Sequence, residues 1–101
     1  MPLSKHLIRL RKPSLDNPVI SAQPRGFNEV LIRRSSILNA TSYEVRIGTI
    51  PGLWQPAGIF DSEAEIAIHG LVPGLDYYIS VRALGEDASS AWSDQISYRS
   101  A

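Results

Sequence analysis

In residues 76–84, Asp-Tyr-Tyr-Ile-Ser-Val-Arg-Ala-Leu, the apolar Tyr77, Ile79, Val81 and Ala83 hold every second position. A helix would scatter these side chains around its circumference, whereas a strand collects them on one face. The same alternation runs through Tyr43-Glu44-Val45-Arg46-Ile47 and, in shorter form, through Val30/Ile32, Ile66/Ile68 and Ile96/Tyr98. Gly, Pro, Asn, Ser and Asp separate the runs, and no segment shows an amphipathic helical period. The pattern predicts strands at 19–23, 29–34, 42–47, 58–61, 65–68, 76–84 and 95–99, with that at 58–61 the weakest. Seven short strands at regular spacing read as an all-β antiparallel sandwich.

Period two also assigns faces. The expected core is Val30, Ile32, Tyr43, Val45, Ile47, Ile66, Ile68, Tyr77, Ile79, Val81, Ala83, Ile96 and Tyr98, while Arg33, Glu44, Arg46, Glu65, Ser80, Arg82 and Ser97 are expected to face solvent.

At 101 residues the chain has room for one domain, and an Ig-like sandwich needs roughly 100 residues to close two sheets over one core. With no cysteine, a disulfide framework, a thiolate nucleophile and a cysteine-ligated metal are excluded, so stability falls to packing. Ten basic and ten acidic residues cancel, which favours no polyanionic partner in bulk. The charges are nevertheless unevenly placed, because Lys5, Arg9, Arg11 and Lys12 all precede the first acid, Asp16. Pro13 and Pro18 hold their neighbours extended. Residues 1–16 therefore read as a basic extended arm and 17–101 as the domain.

Bases interrupt the apolar positions of the first residues, so no secretory h-region is legible, and no stretch reaches the length of a membrane span. The expectation is a chain made soluble. Leu7, Ile8, Arg9, Leu10 and Arg11 give the arm an apolar and basic character. For nucleic acid or a membrane, four charges without an aromatic platform are few. A disordered tail is a second reading. A third is a docking segment that lays Leu7, Ile8 and Leu10 on a neighbouring subunit or adds a strand to an open sheet edge. Apolar residues are out of place in a purely disordered tail, which favours the third.

The segment from Gly70 to Ala83, Gly-Leu-Val-Pro-Gly-Leu-Asp-Tyr-Tyr-Ile-Ser-Val-Arg-Ala, resembles the G-L-x-P-G-x-x-Y-x-x-x-V-x-A pattern of fibronectin type III domains. Pro73-Gly74 suits a tight turn, since proline presets one turn residue and glycine accepts positive φ at the next. Leu71 is expected to plug the core beside it. The resemblance implies that Tyr77 is a tyrosine corner, its hydroxyl bonding to backbone a few residues upstream. Tyr43-Glu44-Val45-Arg46-Ile47 is similar to the family's third strand, and Ser90-Ala91-Trp92-Ser93-Asp94 to the S-x-W-S segment opening its last strand. The likeness covers about residues 17–100. It departs at the second strand, where the family commonly buries a Trp and this chain has Val30-Leu31-Ile32-Arg33-Arg34; Trp54 is the candidate to fill that volume.

Sites for chemistry are sparse. His6 and His69 lack partners at metal-ligand spacing, and no nucleophile elbow or phosphate-binding glycine loop occurs. Asp61, Glu63 and Glu65 alternate into a strand and read as its solvated face rather than a calcium site. Arg25-Gly26-Phe27 reads as a turn and not an adhesion motif. Asn39-Ala40-Thr41 matches a glycosylation acceptor by chance. Ser90-Ala91-Trp92-Ser93 resembles half of the W-S-x-W-S box of cytokine-receptor domains, where Trp and Arg side chains stack on the exposed sheet face; the resemblance implies Arg46 and Arg82 beside Trp92, in a local cation–π stack. No catalytic, cofactor-binding or metal-ligating residue is assigned and no cofactor is expected.

The functional expectation is a non-enzymatic structural or protein-interaction module. A chain with its own Met and an apolar–basic arm, ending after its last strand, reads as a free-standing virion component of a phage tail or capsid, made in the host cytoplasm. Its partners are then other copies, as a homo-oligomer, or neighbouring virion proteins. They are met by the arm and by the exposed face around Trp54, Tyr78, Arg82 and Trp92. The alternative is an extracellular spacer or carbohydrate-binding module of a secreted or cell-surface multidomain protein.

Overall fold

The computed structural model describes residues 15–101. Its strands are β1 (Ile20–Pro24), β2 (Val30–Arg34), β3 (Ser42–Ile50), β4 (Leu53–Asp61), β5 (Ile66–Ile68), β6 (Asp76–Leu84) and β7 (Ile96–Arg99). They form two antiparallel sheets, one ordered β1-β2-β5 and the other β4-β3-β6-β7. Among the described residues no helix is long and apolar enough to cross a membrane.

Strand alternation builds the core between the sheets. Val30, Ile32, Tyr43, Val45, Ile66, Ile68, Leu71, Tyr77, Ile79, Val81 and Ala83 pack there with Ile20. Opposed residues of neighbouring strands share a face, so the pairs Tyr43↔Ala83, Val45↔Val81 and Ile47↔Ile79 stack three inward rows across β3 and β6. Ile47, Ile96 and Tyr98, expected inside, are only partly buried because they lie at the margin of the cluster. Tyr43 is 1% exposed; its hydroxyl accepts the Ile37 amide at 3.0 Å, and the Arg34 guanidinium lies 3.9 Å from its ring centre. Arg34 also donates to the carbonyls of Ser62 and Ala64, tying the β4–β5 connection to β2.

At the β5–β6 connection Gly74 has φ 84° and the Leu75 amide donates to Val72 O, a turn with glycine at its third position. Leu71 fills the core beside it, and the Tyr77 hydroxyl accepts the Val72 amide at 2.8 Å.

Three expectations are corrected. The weak strand at 58–61 is the nine-residue β4, hidden in the sequence by Pro56 and Gly58. β4 is an edge strand, where a missing amide is tolerated, and register shifts between Val45/Arg46 and Ile47/Ile50 absorb its irregularity. Trp54 does not enter the core; the space between the sheets is filled by Tyr43 and the branched residues around it, and Trp54 lies against Arg46. Ser80, expected in solvent, is fully buried because the segment before β7 folds across it.

Candidate functional site

The outward face of the β4-β3-β6-β7 sheet gathers the aromatic and cationic residues. Register places Glu44 opposite Arg82, Arg46 opposite Ser80 and Gly48 opposite Tyr78, all pointing away from the core. On the β4 side, Ile59 stands opposite Glu44 and Pro56 opposite Arg46.

Trp92 reaches this face through a hydroxyl-anchored segment. The Ser90 and Ser93 amides donate to Ala83 O and Val81 O. Their hydroxyls in turn accept the Ala83 and Val81 amides at 2.8 and 3.0 Å. Serine hydroxyls thus stand in for the carbonyls of a paired strand, so the edge of β6 beyond its Asp76–Ile79 pairing with β7 is satisfied without a regular ladder. Ser80 Oγ donates to Ser93 O at 2.9 Å, completing the seam. Trp92, between the two anchors, is laid over the outward arginines.

A continuous stack results. The Arg46 guanidinium lies 4.4 Å from the Trp54 ring centre and 4.2 Å from that of Trp92, while Arg82 sits 4.7 Å from Trp92. Arg82 Nε donates to Glu44 Oε1 at 2.7 Å and closes the row. Each contact is worth about 0.5–1 kcal/mol at an exposed site and up to ~2 kcal/mol where water is excluded. Burial, and then the like charge of Arg82, hold the Arg46 guanidinium below its ordinary pKa. Its Nε is buried without a hydrogen-bond partner, and the flanking indoles compensate electrostatically.

The structure therefore brings Trp54, Tyr78, Arg82 and Trp92 onto one face, half-buried rather than open. Leu71, Pro73, Gly74 and Tyr77 lie together at the β5–β6 turn. Leu7, Ile8, Arg9, Leu10 and Arg11 lie outside the described residues. Sequence reasoning passed over Ile59, 64% exposed on the same face, because Pro56 and Gly58 hide the face to which the expected strand at 58–61 turns it. It also passed over Gly48, where a Cβ would stand 2.2 Å from Leu53 O; a glycine next to a β-branched run was the available signal. The Asp61, Glu63 and Glu65 carboxylates do not converge on a cation position, and Glu65 pairs with Arg25 at 3.3 Å.

Two antiparallel sheets of three and four strands, a tyrosine pinned to the β5–β6 turn and a serine-anchored Trp before β7 define the fibronectin type III fold. The structure is similar to the crystal structure of FN3tt, with TM-score 0.74, 21% identity, and coverage of 86% of this chain and 95% of that one. It is likewise similar to the sixth fibronectin type III domain of human fibronectin type III domain containing protein 3, at TM-score 0.74 and 18% identity, with 91% of each chain covered. A third likeness is a Fn3-like protein from Clostridium thermocellum, at TM-score 0.71 and 20% identity, covering 84% of this chain and 90% of that one. No family model and no curated protein matches the sequence. At these identities the likeness is one of fold.

Proposed function

We propose that the chain is a non-catalytic interaction module that contacts a protein partner through the outward face of the β4-β3-β6-β7 sheet. The observation that carries this reading is the Trp54–Arg46–Trp92–Arg82 stack, with Tyr78 and the exposed Ile59 on the same face. Trp, Tyr and Arg dominate binding hot spots because they bury large areas at low conformational cost, and here the stack already holds the side chains in place.

Photo-crosslinking amino acids at positions 59 and 78, with control positions Ser21 and Arg33 on the other sheet, test the face in the producing cell. Specific protein adducts at 59 and 78 alone are expected. Equal labelling at all four positions, or none, sinks the proposal.

The narrower reading is a virion assembly component, with Leu7, Ile8, Arg9, Leu10 and Arg11 docking on a neighbour. The apolar–basic sequence of the arm supports it. Sedimentation of the chain with and without residues 1–14 tests it: an arm-dependent oligomer agrees, and a monomer in both forms favours the spacer alternative.

A further inference from the structure

The charge of the chain is divided. Residues 1–14 hold Lys5, Arg9, Arg11 and Lys12 and no acid, which leaves six cations against ten acids in residues 15–101: a +4 segment attached to a body of net charge −4. Where the segment joins the domain, Leu15 is partly buried against the core and forms one wall of an open cleft of about 410 Å³. The other walls are Asn39 and Thr41 of the β2–β3 connection and Gly85, Glu86, Asp87 and Ala88 of the β6–β7 connection. Gly85 permits this close approach, since a Cβ there would stand 3.4 Å from Leu15 Cδ1 and 3.0 Å from Asn39 O. Leu38, next in sequence to Asn39 of the cleft wall, is 84% exposed.

We propose that this cleft is the seat of the chain's own N-terminal segment, with residues 7–12 laid across it. In that seat Leu7, Ile8 and Leu10 supply the apolar contact that Leu38 and Leu15 offer. Arg9, Arg11 and Lys12 face the acidic rim of Glu86 and Asp87. Reach is sufficient, because the five residues from Leu15 back to Leu10 span up to roughly 17 Å when extended. Exposed ion pairs are individually weak. Here the tether makes their association intramolecular, at an effective concentration on the order of millimolar. Docking of this segment on another molecule then becomes an exchange of one seat for another.

The absence of cysteine makes a nitroxide on Ser4→Cys unique in the full chain. Selective paramagnetic broadening of the Asn39, Thr41, Gly85, Glu86 and Ala88 amides is expected, unchanged on tenfold dilution. It is expected to be lost at about 0.5 M salt, where screening is short-ranged, and in the double variant Glu86→Lys/Asp87→Lys. Adding Arg9→Glu/Arg11→Glu to that variant should restore it, and the remaining resonances report that each variant is folded. A mixture of spin-labelled chain with isotope-labelled, spin-free chain should show no broadening. Absence of selective broadening at low salt overturns the proposal. Broadening in the mixed sample overturns it in favour of a second copy, and persistence in Glu86→Lys/Asp87→Lys removes its electrostatic basis.

Discussion

The guanidinium of Arg46 lies 4.2 Å from the ring centre of Trp92, although the two residues are 46 positions apart in sequence and Trp92 belongs to no strand. Arg46 is thereby held between two indoles, with Trp54 on its other side. Removing it as Arg46→Ala is expected to cost about 1–2 kcal/mol, the loss of two partly desolvated cation–π contacts. Arg46→Lys keeps the charge but loses the flat stacking surface, so it should recover only part of that stability. Chemical denaturation followed by tryptophan emission measures both; wild-type stability in the lysine variant would show that charge alone matters.

Ser93 holds the stack from behind. Ser93→Ala leaves the buried Val81 amide without its acceptor, a loss of about 1–3 kcal/mol. Because Trp92 is the adjacent residue, its emission should also shift red as the ring leaves Arg46. An unchanged spectrum with lowered stability would separate the seam from the stack.

Tyr77→Phe removes one hydroxyl and nothing else. The Val72 amide then loses its 2.8 Å acceptor beside the β5–β6 turn. The expected cost is about 1–3 kcal/mol, read as a lower thermal midpoint with an unchanged circular dichroism spectrum. A midpoint equal to wild type would mean that the turn is held by Pro73 and Gly74 alone.

Gly48→Ala tests the irregularity of the β3–β4 hairpin. A Cβ at this position meets Leu53 O at 2.2 Å, so backbone has to move, at a cost of about 1–3 kcal/mol. Gly52→Ala is the control: its Cβ has open space, but φ is 84°, so its smaller cost reflects backbone conformation only. Equal losses at the two positions would argue against the close approach.

The Asp76–Leu84 strand was legible to the residue, because apolar residues hold every second position from Tyr77 to Ala83. β4 was legible only at its end, since Pro56 and Gly58 erase the alternation that an edge strand does not need to keep. Of the site, the placing of Arg46 and Arg82 beside Trp92 was implied by the resemblance of Ser90-Ala91-Trp92-Ser93 to the cytokine-receptor box, whereas the place of Trp54 was not. Its neighbour across the sheet is set by a bulge in the β3–β4 register, and a shift of one residue changes the face to which a side chain belongs.

Sequence alone determined the inward rows of the sandwich and the Pro73-Gly74 turn, which follow from local periodicity and local backbone preference, and its resemblance to the fibronectin type III pattern pointed to the tyrosine beside that turn. Tertiary structure decided the rest: that Ser80 is buried, that Trp54 and Trp92 close on one arginine, and that Leu15 forms a wall of an acidic cleft. Each of these brings together segments far apart in the chain. Such contacts depend on register, bulges and loop paths that arise only when the two sheets pack, and no local pattern encodes them.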